Sequence, residues 1–566
     1  MSNTVQKWDH EVDVLVVGSG AGSLVAAVTA SEKSASTLIV EKGSKWGGTS
    51  ATCGGGIWIP ASHSAIAQGQ EDSPEEAFLY IKSLTSGTVS DSKIKSYTVN
   101  ARVMAKYIEG VTALRFNAIP YTDYHAELPG GKHGYRTHET NTLHASLLEK
   151  EEFDSLLPGH PSTALFGYIP WTTMEAAPMV TRGPGWVQTM IKILWRYYSD
   201  LPQRVKSKRS RFMVFGNAIA GHLKIALNHF GGTLWLNSAL KELIRDDSGR
   251  VVGALVLKDG VLTAIKANKG VILGAGGFEH NQKMRDKYLP GDTRCEWSGG
   301  QLNNTGDAIQ AGVAIGAATD LMEHAWWAPT VKVPSESRGR PLFYERALPG
   351  CIIVSQGGER YMNEARSYDV ASKAMIDADR PDCRTTPSWL IFDATFRKKY
   401  PMGPLMPVIP DWLHSKEVRS MIKKSSSIKG LAKLTNMSSD ALEKTIEKFN
   451  GYAHDGVDKD FDRGGAAYDR YYGDQNVTPN PNLAAIESGP FYAMPVYPGD
   501  IGTKGGLATD DTGRVLDQNG SQIEGLYAIG NNAASVMGPS YPGAGSTLGP
   551  AMTFGYLAAL DAVSAK

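Results

Sequence analysis

The segment VDVLVVGSGAGSLVAAVTA near the N-terminus constrains the fold more than any other part of this chain. An apolar run at 12–17 is followed by Gly18, Gly20 and Gly22 and then by small residues at helical spacing. A second apolar run, STLIV, leads to Glu41, about 20 residues beyond the glycines. This order predicts a Rossmann-like unit, in which the glycine turn brings a pyrophosphate to a helix N-terminus and the acid binds a ribose hydroxyl.

Further glycine-rich segments identify which dinucleotide the unit holds. KGSKWGGTSATCGGG directly follows Glu41, and strand-like runs end in glycines again in KGVILGAGGFEHN and IEGLYAIGNNAAS. A nicotinamide fold has no need of the second glycine segment, whereas an FAD that lies extended across the domain does. We therefore predict FAD, with backbone amides at strand ends contacting phosphate and flavin.

Together with NNTGDAI (303–309), these segments resemble the flavoproteins of the fumarate reductase and succinate dehydrogenase superfamily. The resemblance implies an α/β fold with a Rossmann-like FAD-binding domain built from both chain ends, residues 1–322 and 503–566. It also implies an inserted α+β catalytic, capping domain at 323–502. Some relatives attach flavin covalently to a histidine, but 47–58 contains none, so we expect noncovalent FAD.

The predicted FAD contacts lie in glycine turns, at strand ends and at helix starts. They are Gly18, Ser19, Gly20, Ala21, Gly22, Ser23, Glu41, Lys42, Gly47, Gly48, Thr49, Ser50, Gly55, Gly56, Ala275, Gly276, Gly277, Asn281, Asp307, Gly530, Asn531, Gly545 and Leu548.

Tyrosines in unusual contexts narrow the subfamily. YTDYHAELPGG, GERYMNEARSYDVA, FYAMPVYPGDIGTKGGLATDDTGRVL and GPSYPGAGSTLG occur in this order and closely resemble segments of bacterial 3-ketosteroid Δ1-dehydrogenases. Relatives that process dicarboxylates need arginines and histidines to hold two carboxylates, which these motifs do not offer.

The second resemblance implies an activity and four site residues. The hydroxyl of Tyr541 and the backbone N–H of Gly545 hold the 3-keto oxygen of a steroid, which stabilises the developing enolate. Tyr368 is the base that takes a proton from carbon 2, and Tyr124 assists it. Carbon 1 gives hydride to flavin N5, so the product is a 1-ene or 1,4-diene. An artificial or quinone-type acceptor then reoxidises the flavin.

A phenol with a pKa near 10 must become more acidic to act as this base, and we expect a second phenol and a helix N-terminus to acidify it. We interpret the nearby Tyr121 and Tyr361 as structural, and Lys504 as a loop lysine near the flavin or the domain junction. Trp326 and Trp327 either line a steroid pocket or pack the junction.

The sequence leaves three alternative functions open. A 3-ketosteroid Δ4-(5α)-dehydrogenase shares the ketone but desaturates between other carbons. A fumarate-reductase-like enzyme and a non-catalytic flavin sensor are more distant. The SYDVA and YPGAG contexts favour the Δ1 reaction.

Length and composition are those of an ordinary soluble protein with two or more domains. The chain has 566 residues, more than one hydrophobic core usually serves, and Lys plus Arg and Asp plus Glu both number 58. Zero net charge argues against nucleic-acid binding. The four cysteines form no CxxC pair, so we expect reduced thiols, no metal and a cytoplasmic location. No apolar run reaches the roughly 18 residues of a spanning helix, and we see no signal-peptide pattern.

Residues 164–211 contain an insertion with a predicted amphipathic helix. One face carries Trp186, Met190, Ile193, Leu194 and Tyr197, and the other carries Gln188, Lys192, Arg196 and Ser199. Seven basic residues and one acid lie between 192 and 211. One hypothesis is an interfacial helix that docks the enzyme peripherally on the inner face of the cell membrane, which would suit a cholest-4-en-3-one-like substrate. The other is an ordinary amphipathic helix packed on the protein.

Overall fold

The computed structural model describes residues 7–407 and 409–565. Its strands, in chain order, are β1 (His10–Val17), β2 (Thr37–Val40), β3 (Ile57–Trp58), β4 (Phe116–Ala118), β5 (Thr137–Thr140), β6 (Leu143–His144), β7 (Ala164–Leu165), β8 (Ile169–Pro170), β9 (Phe212–Met213), β10 (Thr233–Trp235), β11 (Ser238–Arg245), β12 (Val251–Lys258), β13 (Val261–Leu273), β14 (Thr319–Asp320), β15 (Ala325–Val331), β16 (Arg340–Pro341), β17 (Cys351–Val354), β18 (Ser388–Phe392), β19 (Lys423–Ser425), β20 (Phe491–Thr503), β21 (Gly506–Leu507), β22 (Arg514–Leu516) and β23 (Gln522–Ala528).

The α-helices connect and cover these strands. They are α1 (Ala21–Glu32), α2 (Gly48–Thr52), α3 (His63–Ala67), α4 (Pro74–Thr85), α5 (Asp91–Val111), α6 (Lys150–Ser155), α7 (Thr173–Thr181), α8 (Trp186–Tyr198), α9 (Leu201–Lys206), α10 (Phe215–His229), α11 (Gln282–Tyr288), α12 (Asp307–Ala314), α13 (Tyr368–Ala378), α14 (Ala394–Lys399), α15 (Lys416–Met421), α16 (Ile428–Thr435), α17 (Ser439–Asp455), α18 (Ala467–Tyr471) and α19 (Leu548–Ser564).

The larger sheet joins the two ends of the chain. Its order is β10-β2-β1-β13-β12-β11, and β23 pairs with β13 while β22 pairs with β23. β1 runs parallel to β2 and β13, and β23 also runs parallel to β13. Strands from the N-terminal and C-terminal segments therefore build one sheet, whose strand ends carry the glycine turns.

Helix α1 is buried on nearly every side because it is sandwiched between the sheet and α19. The residues from Ala21 to Ser31 are all buried, as expected for a helix of small and apolar residues without a polar face. A Cβ on Gly22 would lie 2.6 Å from the carbonyl oxygen of Ala551, and one on Gly555 would lie 2.4 Å from that of Gly22. Glycines at these positions let the two helices cross closely.

The second sheet is antiparallel and has the order β16-β15-β20-β18-β17, with β19 paired to β20. All its strands lie between Ala325 and Thr503. The long strand β20 carries the chain from this sheet back towards the larger one. The domain limits at 322/323 and 502/503 stay a prediction from the sequence.

Candidate active site

The glycine turn after β1 forms one wall of a long cavity between the two sheets. Gly18 has φ +95°, and a Cβ there would lie 2.6 Å from the carbonyl oxygen of Gly274. Gly20 precedes α1 and supplies no side-chain cap to it. A helix N-terminus in a glycine turn is suited to bind the pyrophosphate of a dinucleotide.

Ser23 stands where a third glycine is usual in this motif. Its hydroxyl donates to the carbonyl of Gly274 at 3.1 Å, so the serine fastens the turn to the end of β13.

Glu41 follows β2 and lines the same cavity. Its carboxylate accepts from the hydroxyl of Ser19 at 2.6 Å and from the backbone N–H of Gly43 at 2.8 Å. Burial raises the pKa of Glu41, and these donors oppose that rise. The carboxylate is thus fixed in direction and has remaining acceptor capacity for a ribose hydroxyl.

A charged pair lies nearby on the cavity wall. The Lys42 ammonium donates to Asp307 at 2.5 Å and to the hydroxyl of Thr305 at 2.7 Å. The hydroxyl of Thr49 accepts from the side-chain amide of Asn304 at 3.0 Å. These bonds connect the segment around Glu41, and also α2, with the start of α12.

Most of the predicted cofactor residues line this cavity. They are Gly18, Ser19, Gly20, Ala21, Gly22, Ser23, Glu41, Lys42, Gly48, Thr49, Ser50, Gly55, Gly56, Ala275, Gly276, Asp307, Gly530, Asn531, Gly545 and Leu548.

Gly47, Gly277 and Asn281 do not line it. The N–H of Gly47 donates to Ser19 at 2.9 Å, and the carbonyl of Gly277 accepts from Gly306 at 3.0 Å. The Asn281 side chain caps α11 by accepting from Met284 at 3.2 Å. These three residues lie behind the cavity wall, where their polar groups form hydrogen bonds within the protein.

Several cavity residues were missed from the sequence. Asn304 lies in the quoted NNTGDAI motif and could have been found there. Thr137, His138 and His160 also line the cavity but come from segments without a glycine or tyrosine motif. The hydroxyl of Thr137 donates to the carbonyl of Ala544 at 2.8 Å, which fixes the loop before α19.

The donor set of the cavity fits FAD. It offers a buried carboxylate for a ribose, an uncapped helix N-terminus for a pyrophosphate, and glycine backbone from 54–56 near Ala544 and Gly545 for a planar ring. A Cβ on Gly56 would lie 3.6 Å from the backbone nitrogen of Gly545, so these two segments pack in contact.

Three of the predicted tyrosines meet in the same cavity. The rings of Tyr124, Tyr368 and Tyr541 lie pairwise 5.2 Å apart between centroids. All three are buried, and the Tyr124 hydroxyl donates to that of Tyr368 at 2.6 Å. They come from three separated parts of the chain, since Tyr368 begins α13 and Tyr541 lies in the loop before α19.

The loop of Tyr541 also presents a free backbone donor. The N–H of Gly545 donates to no acceptor within the described residues, and Gly545 lines the cavity. Its φ of +94° turns the backbone there, and a Cβ would lie 2.5 Å from the nitrogens of Ile57 and Trp58. The Tyr541 hydroxyl lies 3.2 Å from the hydroxyl of Thr547. A phenol and an amide therefore face one cavity at the start of α19.

The phenols are less acidic than we expected. Burial raises the pKa of Tyr541 to about 12 and raises the pKa of Tyr368 and Tyr124 well above the usual value. The hydrogen bond from Tyr124 lowers the pKa of Tyr368, as we expected, and Tyr368 lies at the start of α13. Removal from water outweighs the effect of this hydrogen bond on the pKa of Tyr368.

The neighbouring aromatic residues divide into cavity and packing roles. Tyr121, which we interpreted as structural, lines the cavity and shares a hydroxyl–hydroxyl hydrogen bond with Tyr472. Tyr361 bonds to Ser388 at 2.6 Å and lies outside the cavity lining. Trp326 is buried behind Tyr541, with ring centroids 4.6 Å apart, and donates to Asn531 at 3.0 Å.

Trp327 is also buried. Neither tryptophan is part of the cavity lining, so both pack the junction.

The rest of the cavity beside the tyrosines is largely apolar. Its wall includes Ile119, Phe343, Tyr344, Pro341, Tyr472 and Ile501. His160, Thr163 and Thr173 also contribute, so the cavity reaches the insertion.

The insertion folds as α7, α8 and α9, and the face we selected as interfacial is mostly turned inward. Ile193 and Tyr197 are buried, and Met190 and Leu194 pack against the same small core. Arg196 forms a bidentate pair with Glu175 at 2.8 and 2.9 Å. This face therefore packs largely on the protein, as the second hypothesis has it, and membrane contact by the insertion stays a prediction.

A second apolar stripe on the insertion is exposed. It consists of Val187, Ile191, Trp195, Tyr198, Leu201 and Val205 and is called the exposed stripe below. Trp195 is 74% and Val205 89% exposed. Lys192, Lys206 and Lys208 are exposed near it in sequence. Helix α8 is thus apolar on two sides, of which only one is covered by protein.

Among the described residues no helix is both long and apolar enough to cross a bilayer. The same residues contain no group of three or more His, Cys, Asp or Glu side chains arranged to hold a metal ion.

Comparison with known proteins gives consistent matches over almost the whole chain. Residues 13–548 match the model of the FAD binding domain family. The 3-oxosteroid 1-dehydrogenase of Mycolicibacterium smegmatis is 41% identical over 98% of this chain and 97% of its own length. That of Comamonas testosteroni is 40% identical, with coverage of 98% and 97%.

A solved structure matches the fold closely. It is the 3-ketosteroid delta1-dehydrogenase of Sterolibacterium denitrificans in complex with 1,4-androstadiene-3,17-dione. The TM-score is 0.94 at 46% identity, and the match covers 98% of this chain and all of the other.

Proposed function

Because this chain belongs to the FAD binding domain family and, within it, to the 3-oxosteroid 1-dehydrogenases, we propose that it desaturates 3-ketosteroids between carbons 1 and 2. One observation carries this proposal. Three buried phenols and the free N–H of Gly545 share a cavity with the glycine turn and the Glu41 carboxylate that fit a dinucleotide. A non-catalytic flavin sensor would need no such group of donors.

Polarisation of the ketone is the first task of the site. We assign the hydroxyl of Tyr541 and the N–H of Gly545 as donors to the 3-keto oxygen. Tyr541 is buried and Gly545 half-buried, and a fixed donor in such a site stabilises developing negative charge more than water does. The uncapped N-terminus of α19 adds positive potential at the same oxygen.

Removal of the carbon 2 proton is the second task. We assign Tyr368 as the base and Tyr124 as the donor that stabilises its anion, supported by the 2.6 Å bond between their hydroxyls. The raised pKa of Tyr368 means that the proton leaves carbon 2 only while the ketone is held and the enolate is stabilised. Bound FAD supplies the hydride acceptor for carbon 1.

The apolar wall of the cavity supports a flat, hydrophobic substrate. Phe343, Tyr344, Tyr472 and Ile501 offer ring and aliphatic surface beside the tyrosines. The solved relative holds a steroid dienedione, and we propose a steroid of that class for this chain.

A direct test is anaerobic mixing of the purified holoenzyme with a 4-ene-3-ketosteroid. We expect loss of the flavin absorbance near 450 nm, ~1 equivalent of 1,4-diene product per flavin, and no bleaching by the matching 3β-hydroxysteroid, since ketone polarisation is required. A fumarate-reductase-like enzyme would instead oxidise reduced viologen with fumarate. An enzyme that fumarate reoxidises and the ketosteroid does not bleach would refute the proposal.

We also propose that the exposed stripe docks the enzyme on an anionic bilayer. Four of its residues, at positions 187, 191, 195 and 198, lie along one side of α8, and 201 and 205 continue into α9. An exposed apolar stripe with aromatic residues and neighbouring lysines is typical of a helix in the membrane interface. The cavity wall reaches Thr173 of the same insertion, so docking would bring a membrane-dissolved sterol and a quinone-type electron acceptor close to the site.

Liposome sedimentation separates this from a helix that is only packed on the protein. We expect the wild type to pellet with vesicles containing phosphatidylglycerol and the variant Ile191→Glu/Trp195→Glu to lose at least ~10-fold in partitioning, since both side chains would enter the interface. The control Val99→Glu/Val103→Glu makes the same type of change on the exposed side of α5. Equal pelleting of all three proteins would exclude the exposed stripe as the docking surface.

A further inference from the structure

Lys504 is a buried lysine that the proposed chemistry does not use, and burial lowers its pKa to about 7. It follows β20, where the chain returns from the second sheet to the larger one, and its side chain is fully buried. Its ammonium lies 4.5 Å from the ring centroid of Trp326 and 5.8 Å from that of Tyr541. A lysine in such a place is costly unless its donors are satisfied.

Lys504 forms hydrogen bonds with the backbone just before Tyr541. The ammonium donates to the carbonyl of Ser540 at 2.7 Å and to that of Pro539 at 3.1 Å. These are the last two carbonyls before the residue that we assign to the ketone.

The same two carbonyls are connected to the start of α13. The Asp369 carboxylate lies 3.8 Å from the Lys504 ammonium, and its other oxygen accepts from Lys373 at 2.8 Å. Lys373 also donates to the carbonyl of Pro539 at 2.6 Å. Asp369 directly follows Tyr368, so two lysines and one aspartate link the loop of one tyrosine to the helix of the other.

We propose that Lys504 is a positioning residue that holds the ketone donor Tyr541 in register with the base Tyr368. Tyr541 acts on the oxygen of carbon 3, and Tyr368 acts on the adjacent carbon 2. The two residues come from separate elements, since Tyr368 begins α13 and Tyr541 lies in the loop before α19. Their rings are 5.2 Å apart and nearly perpendicular at 89°. The link of Lys504, Asp369 and Lys373 fixes this arrangement from behind, outside the cavity lining.

The inference rests on the proposed function and deepens it. A displacement of about 1 Å between reacting groups can cost about 10²-fold in rate, so loss of the link should affect turnover more than substrate affinity. A residue that served only stability would lower the melting temperature and FAD content but leave kcat per bound FAD unchanged.

The test compares Lys504→Met with Lys93→Met as a matched control. Lys93 is also buried and donates to the same C-terminal segment, at Thr509 (2.8 Å) and Ala534 (3.0 Å), but among the described residues it donates no hydrogen bond to the Tyr541 loop. For each holoenzyme, kcat per bound FAD and KM are measured with a 4-ene-3-ketosteroid. Proton abstraction is measured separately as exchange of the carbon 2 hydrogen in D2O with the flavin already reduced.

We expect Lys504→Met to lose about 10²-fold in both kcat and exchange, with KM changed less than about threefold. Lys93→Met should keep both rates within about threefold of the wild type. If Lys504→Met does not fold, Lys373→Met serves instead, since that side chain is 31% exposed, and a loss of about tenfold in the two rates is expected.

Wild-type-like kcat and exchange in the folded lysine variant would overturn the positioning role while leaving the proposed function intact. A wild type that neither exchanges the carbon 2 hydrogen nor bleaches would refute the proposed function, and the positioning role with it.

Discussion

Replacing Tyr541 by phenylalanine removes one of the two ketone donors and little else. The hydroxyl makes a long hydrogen bond, 3.2 Å to the hydroxyl of Thr547, and also interacts with the phenol of Tyr368. A neutral bond of this kind contributes about 1 kcal/mol or less to folding, so the variant should keep its melting temperature and its FAD. The ring itself remains to pack against Trp326 and Tyr368.

The cost to catalysis should be much larger. Loss of one fixed donor to a developing oxyanion typically lowers kcat by about 10² to 10³, or about 3–4 kcal/mol. Residual activity should survive because the N–H of Gly545 remains free to donate. The enolate forms less readily, so exchange of the carbon 2 hydrogen and flavin bleaching should slow together.

The matched control is Tyr361→Phe. Its hydroxyl bonds to Ser388 at 2.6 Å, is buried, and lies outside the cavity lining. Stopped-flow bleaching under anaerobic conditions, at saturating steroid, should give a rate within about twofold of the wild type for this control. A Tyr541→Phe enzyme that also stays within about threefold would refute the assignment of the phenol as ketone donor.

Three further predictions follow from the same geometry. Tyr368→Phe should bind FAD normally and lose at least about 10³-fold in carbon 2 exchange, because an unassisted proton transfer replaces the base; exchange at the wild-type rate would remove Tyr368 from that role. Gly545→Ala should lower the melting temperature and FAD content, because an L-residue is strained at φ +94° and its Cβ would lie 2.5 Å from Ile57; unchanged thermal unfolding and FAD content would contradict this. Burial lowers the pKa of His138 to about 4. The unfolded chain therefore takes up a proton near pH 6.5, whereas the folded protein does so only near pH 4. The free energy of unfolding should fall by up to about 3 kcal/mol from pH 7 to pH 4. His138→Gln should reduce this loss of stability with falling pH, measured by thermal unfolding at several pH values. An unchanged pH dependence of stability would contradict the low pKa of His138.

Most residues predicted to hold the cofactor line one cavity, because their sequence signals are local. The glycine turn, Glu41 and the strand ends each determine backbone shape or charge within a few residues, and they meet at the edge of one sheet. Ser23 shows how the local pattern tolerates change, since its hydroxyl bonds to Gly274 where a glycine would leave space.

Other features could not be predicted because they depend on which surfaces come together. The spacing of apolar residues in α8 defines its apolar sides but does not predict which of them the protein covers. The covered side includes Ile193, whereas Trp195 is exposed. Tyr121 and Tyr472 line the cavity together although 351 residues separate them. The raised pKa of Tyr368 also follows from burial by distant segments.

We propose that Tyr541 and Gly545 polarise the 3-ketone while Tyr368 takes the proton from carbon 2, so that the new double bond lies between carbons 1 and 2. The most direct measurement is product identification from a 5α-3-ketosteroid that lacks ring-A double bonds, incubated with the holoenzyme and an artificial electron acceptor. We expect a 1-ene-3-ketone as the first product, with deuterium at carbon 2 appearing in recovered substrate when the reaction is run in D2O. A product desaturated only between carbons 4 and 5 would contradict it and identify the Δ4-(5α) reaction instead.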